Sequence, residues 1–179
     1  MTSYWRRLRD IVAERGPLCV GIDPHPSLLA AWGLSADAAG AEACARALVE
    51  ALGDKVAAFK PQSAFFEAYG SAGIAALERV LADISDTGAL SILDVKRGDI
   101  GSTMDAYAEA YLCDGAPLAA DAITLSPYLG FGSLAPAFDR AHRYGRGVYV
   151  LARTSNPEGS AVQLALAEEG SVVQTIIDA

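Results

Sequence analysis

The chain has 179 residues, 52% of them hydrophobic and 20% charged, enough to bury the core of one soluble globular domain. Its formal net charge of -8 argues against a nucleic-acid partner, because phosphate backbones are bound by clustered Lys and Arg. An anionic small metabolite is not excluded, since it needs only a local positive patch. Nowhere do about 18 uncharged apolar residues run together, so no membrane span or membrane partner is expected. Cys19, Cys44 and Cys113 are odd in number and form no CxxC pair; their apolar settings read as buried free thiols in a reducing, cytoplasmic compartment.

In chain order, Trp5, Leu8, Ile11 and Val12 alternate with Arg6, Arg7, Arg9 and Asp10, the pattern of an amphipathic helix that packs on a core rather than on a membrane surface. Apolar runs then recur as LCVGID (18–23), AAFKPQ (57–62), LSILDVK (90–96), AITLSPY (122–128) and GVYVLART (147–154), which read as strands buried on both faces. Helical patterns fall between them at 38–52, 70–84, 100–112 and 133–142, and a last helical segment is expected over 162–179. A spacing of roughly 30 residues per unit suits βαβ steps.

This α/β alternation fits a (β/α)8 TIM barrel or an open doubly wound sheet. Polar residues at successive strand ends favour the barrel, where every strand end rings one mouth: Asp23, Lys60, Asp94 with Lys96, Ser126, and Thr154 with Ser155. A complete barrel takes about 250 residues, so only about five βα units are expected, in a single domain over 1–179 that is incomplete at its C-terminal end.

The chemistry concentrates in DVKRGDIGST, Asp94 to Thr103. Asp94 and Lys96 lie two apart on a strand and project to one side, and Asp99 follows a glycine turn. A solvated charge run is the bland alternative. Burying such a cluster costs several kcal/mol unless its members compensate, so it is rarely kept for stability alone. With Lys60, the residues make an alternating array of Lys60, Asp94, Lys96 and Asp99, in which carboxylates keep the lysines charged. Such a lysine can give a proton to a carbanion without a metal or organic cofactor.

DVKRGDIGST is similar to the DxKxxDIxxT signature of orotidine 5'-monophosphate decarboxylases, and LCVGIDPHP, FKPQSAFFEAYG, SPYLGFGSL and RTSNPEG resemble the bacterial branch that includes mycobacterial enzymes. The resemblance implies conversion of orotidine 5'-monophosphate to UMP and carbon dioxide in de novo pyrimidine biosynthesis, with no cofactor. It implies that Lys96 protonates C6 of the pyrimidine, Asp94 stands beside the substrate carboxylate, and Lys60 completes the network and reaches the ribose. It makes Asp23 a ribose ligand and Ser155 a pyrimidine ligand, and sends Asp99, Ile100 and Thr103 into the partner subunit's active site in a homodimer.

The family's glycine-rich PGVGAQGG-like segment and late phosphate-binding arginine have no counterpart in these 179 residues. Two other readings stand beside the decarboxylase: a pyrimidine-nucleotide-binding fragment without turnover, and a Mg-dependent sugar-phosphate decarboxylase or aldolase with the same DxKxxD pattern. Relatives of the latter kind carry an acidic ligand where this chain has Lys60, and a lysine there opposes a cation. His25 and His142 lack metal-ligand spacing with the cysteines, so no metal site is expected. His25 reads as a loop residue near the mouth, Phe65 and Phe66 as core aromatics of the helix after Lys60, and the glycines of YLGFGSL as a βα turn rather than a phosphate loop.

Overall fold

The computed structural model describes residues 2–167 and 170–179. Five parallel strands, β1 (Cys19–Ile22), β2 (Ala58–Pro61), β3 (Leu90–Arg97), β4 (Ala122–Leu125) and β5 (Gly147–Val150), pair in the order β1-β2-β3-β4-β5. Strand order that never reverses is the order of a barrel wall; a doubly wound sheet has a switch point where it turns back. Helices α3 (Ala38–Leu52), α5 (Gly70–Asp86), α6 (Gly101–Leu112) and α7 (Ala135–Tyr144) make the crossovers at the expected positions.

Because strand side chains alternate between faces, the sheet separates two cores. Ile22, Phe59, Leu93, Val95, Ile123 and Leu125 face the helices and share a core with them. Ala58, Leu90, Ile92, Ala122 and Tyr149 face inward, against Tyr4, Leu8, Ile11 and Val12 of α1 (Tyr4–Arg15). The amphipathic N-terminal segment is thus a packing helix that closes the floor of the sheet. Arg7 ties it down with an ion pair to Asp121, and Asp121 also accepts from the Ser91 backbone N–H and hydroxyl. Gly147 permits this closure, since a Cβ there would stand 2.3 Å from the Tyr4 ring.

Several expectations need correction. Segment 162–179 is not one helix: a short α8 (Ser160–Gln163) precedes an antiparallel pair, β6 (Leu166–Ala167) with β7 (Gly170–Ser171), and then α9 (Val172–Asp178). Leu164, at φ -98° and ψ 1°, ends α8; Gly170 takes φ 126° at the start of β7, and Ser171 starts a new helix by accepting the Gln174 N–H. Cys19 is exposed rather than buried, because it lies inward on β1, an edge strand with one neighbour among the described residues; Cys44 and Cys113 are buried, and all three thiols are free. His25 does lie in the loop after β1, as expected, at its last position. It caps α2 (Pro26–Ala31), its ring accepting the Ser27 N–H, with Pro26 in the first helical turn. Phe66 is fully buried in α4 (Ala64–Glu67), while Phe65 is half-buried against the His25 ring. The YLGFGSL glycines form a turn, leading through a 3₁₀ turn at Phe131–Leu134 into α7.

Candidate active site

The inner-face parity that puts Ala58, Ile92 and Ala122 on the floor carries Lys60, Asp94 and Thr124 to the C-terminal rim. There β3 leaves regular pairing. Leu93 pairs with Ile123 but Arg97 with Leu125, so four residue steps on β3 span two on β4. The bulge bends the strand, and within it Lys96 adopts φ 46°, the positive φ of a non-glycine residue among those described. The Lys96 N–H leaves the ladder and donates to Thr124 Oγ1 at 2.9 Å. The convergence of Asp94 and Lys96 expected from simple strand alternation is therefore achieved through a bulge. Gly98 lets the chain leave it, since a Cβ there would sit 2.2 Å from the Ser126 carbonyl oxygen.

Asp94 is the centre of the site and is only 6% exposed. Its Oδ2 accepts from Lys60 Nζ at 2.8 Å and Gln62 Nε2 at 3.0 Å; its Oδ1 accepts from Lys96 Nζ at 2.6 Å and the Thr124 hydroxyl at 2.8 Å. Burial by itself would push the carboxyl up, but the hydrogen bonds from Lys60, Lys96 and Thr124 outweigh it and hold the pKa down at about 2. Within the hydrogen-bonded array itself, two lysines face one carboxylate, an excess of positive charge in a protein whose net charge is -8. A cleft of that kind can attract an anion against the field of the whole surface.

Of the residues anticipated from sequence, Lys60, Asp94 and Lys96 come together as expected. Asp23 lies on the same rim at the end of β1, its carboxylate folded back over Gly21, and is exposed. Asp99 does not join the array: its Oδ1 accepts the Ile100 N–H at 2.8 Å, and it makes no ion pair among the described residues. The tight turn through Gly98 carries it past the rim to the start of α6, where Ile100 is 61% exposed and Thr103 is exposed. Ser155 is exposed in the loop after β5, and among the described residues the Asp94 carboxylate is bonded by Lys60, Gln62, Lys96 and Thr124 rather than by it. Gln62 and Thr124 were missed by sequence reasoning. Inner-face parity from Ala122 could have found Thr124; Gln62 depends on its bridge to Asp94 and has no local signal.

A cavity of about 780 Å³ lies past the ends of β4 and β5, lined by Ser126, Phe131, Leu151, Thr154, Val162 and Ile176 among others. It is mainly apolar and none of the charged residues lines it, so the chemistry is assigned to the array and not to the larger space.

The sequence profile of the Orotidine 5'-phosphate decarboxylase / HUMPS family matches residues 16–179. The chain belongs to this family. Two curated relatives named orotidine 5'-phosphate decarboxylase are similar to it: one from Salinispora arenicola, 60% identical over 99% of this chain and 64% of its own length, and one from Streptomyces coelicolor, 58% identical over 97% and 62%. A solved structure from Streptomyces avermitilis superposes with a TM-score of 0.97 at 56% identity, covering 99% of this chain and 63% of that one. The structure of Leishmania donovani OMP decarboxylase superposes at 0.80 with 35% identity, covering 98% and 63%. The chain thus spans a little under two thirds of the length of these family members. Its five-stranded sheet is an arc of the orotidine 5'-phosphate decarboxylase family's (β/α) barrel.

Proposed function

We propose that the protein decarboxylates orotidine 5'-monophosphate to UMP and carbon dioxide, without metal or organic cofactor. The observation that carries this reading is the buried Asp94 carboxylate gripped between Lys60 and Lys96 at a strand end. When the bond from C6 to the substrate carboxylate breaks, its electron pair remains on C6, and Lys96 Nζ delivers a proton there. The charge on C6 exists only as the transition state is approached, so a lysine fixed by Asp94 stabilises it more than the ground state. Enzymes supply roughly 8 to 23 kcal/mol in this way, and a reaction this slow uncatalysed needs the upper end.

In this reading Lys60 and Asp23 bind the ribose and Ser155 the pyrimidine. Asp99, Ile100 and Thr103 enter the partner subunit's site in a homodimer, which accords with their exposure and with the separation of Asp99 from its own array. Lys60 Nζ, 2.8 Å from Asp94, stands where a metal-dependent relative would need a ligand, which favours cofactor-independent chemistry. None of the described helices is long and apolar enough to cross a membrane. The test is the ultraviolet loss of orotidine 5'-monophosphate: Lys96→Ala should abolish nearly all turnover, and an undiminished rate in that variant would sink the proposal. Calorimetric binding of UMP with no turnover in the unmutated protein would favour the non-catalytic reading instead.

A further inference from the structure

The bulge that aims Lys96 is held from outside the site by residues that the reaction itself does not use. Arg97, the next residue, points to the helix side of β3, where its Nη2 donates to Glu67 Oε1 of α4 at 2.6 Å. Its guanidinium also lies over the rings of Tyr107 and Tyr111 of α6, 5.6 and 6.0 Å from their centroids, with the Tyr111 hydroxyl 3.4 Å from Nη2. Glu67 Oε1 accepts a second hydrogen bond, from the Ser63 hydroxyl at 2.6 Å, and the Ser63 N–H donates to the Asp94 carbonyl at 3.2 Å. A closed circuit results. Asp94 is tied through Ser63 and Glu67 to the side chain of Arg97, and the chain from Asp94 to Arg97 between those anchors is the bulge containing Lys96 at φ 46°.

We propose that Arg97 and Glu67 are positioning residues: an ion-pair clamp between α4 and α6 that holds the Asp94–Arg97 bulge shut and so keeps Lys96 in its left-handed backbone conformation, aimed at the reacting carbon. An unfavoured backbone conformation persists only where its surroundings over-determine it. On the inner side that constraint is Thr124; on the outer side it is this clamp. The guanidinium suits the task because its planar fork can pair with a carboxylate while its face stacks on aromatic rings. Without it, the bulge keeps its hydrogen bonds to Thr124 and Ser126 but loses the anchor on its helix side.

The consequence for turnover rests on the reading of Lys96 as the proton donor, whereas the backbone consequence does not, and the experiment separates them. Arg97→Met keeps an apolar stem against the tyrosines, Glu67→Gln keeps the size, and Arg97→Lys keeps a cation for Glu67. Amide hydrogen exchange should rise roughly tenfold or more at Lys96 in R97M and E67Q, with β2 and β4 unchanged and partial recovery in R97K. In the same variants kcat should fall roughly 10- to 100-fold with KM nearly constant, and the double variant should be no worse than either single one. Wild-type exchange at Lys96 in both variants would overturn the clamp, and so would equal acceleration throughout β2 and β4, the mark of a general packing role. Absence of turnover in the unmutated protein would defeat the decarboxylase reading while the exchange result still decides the clamp.

Discussion

Replacing Asp94 by Asn tests the electrostatics of the site through stability alone. The buried carboxyl would be raised by desolvation, yet its bonds to Lys60, Lys96 and Thr124 bring it from the ordinary 3.8 to about 2. A depressed carboxyl contributes stability that is fully present above its unfolded value and lost as pH falls through its folded value. The window therefore lies below about pH 4, with most of the loss between there and about pH 2. At about 1.4 kcal/mol per pKa unit the contribution is about 2 kcal/mol, taken at the low side because Lys60 and Lys96 are 37% and 49% exposed and solvent screens them. Urea unfolding at a series of pH values should show the unmutated chain losing about 2 kcal/mol more than D94N between about pH 5 and pH 2. Other depressed carboxyls, such as Glu42 beside Arg79, titrate in both proteins and cancel in the difference. Parallel curves for the two proteins would refute the account of Asp94 as a carboxylate held ionised by its neighbours.

Thr124→Val keeps the volume but removes a donor to the Asp94 carboxylate and leaves the Lys96 N–H without its acceptor; it should cost about 2–3 kcal/mol of unfolding free energy at neutral pH, with Thr124→Ser recovering most of it. Gly147→Ala drives a methyl into the Tyr4 ring and should cost about 1–3 kcal/mol, read by the same denaturation. Gly98→Ala meets a main-chain oxygen that cannot yield as a side chain can, so the turn into α6 must shift; turnover should fall roughly 100-fold in the ultraviolet assay.

The parts of this architecture that are legible in sequence are those set by long periodic patterns. The crossover helix at 38–52 matches α3 residue for residue, and each of the five strands lies where its apolar run predicts. The helix expected after Lys60 with Phe65 and Phe66 is α4, whereas the short α2 escapes because six residues carry too little periodicity to register. The break after Gln163 was lost in a continuous helical pattern, since no glycine or proline stands between Ser160 and Ala167 to mark it. In the site, spacing found Lys60, Asp94 and Lys96 because each stands at a strand end. It overstated the array by including Asp99, whose direction depends on the turn at Gly98 rather than on strand alternation. The bulge, and with it the role of Thr124 as a tie between Asp94 and the Lys96 backbone, rests on register between β3 and β4, which neither sequence segment carries alone.

The floor beneath the array bears on its electrostatics as much as the array itself does. Tyr4 and Ile11 of α1, with Ala58, Leu90 and Ala122, form a buried plug under the inner face, so the charged rim is backed on its floor side by packed side chains rather than water. Charges backed by low-dielectric packing interact more strongly than the same charges with water on both sides. The Asp94 carboxylate is therefore fixed by neighbours whose attraction is only partly screened, consistent with its low pKa despite burial. It follows that α1, although it lies at the opposite end of the strands from every charged residue of the site, acts on the site through what it excludes. A substitution that opens the plug, such as Tyr4→Ala, removes a fully buried ring and should cost about 3–5 kcal/mol of unfolding free energy, which urea denaturation would register and an unchanged midpoint would contradict.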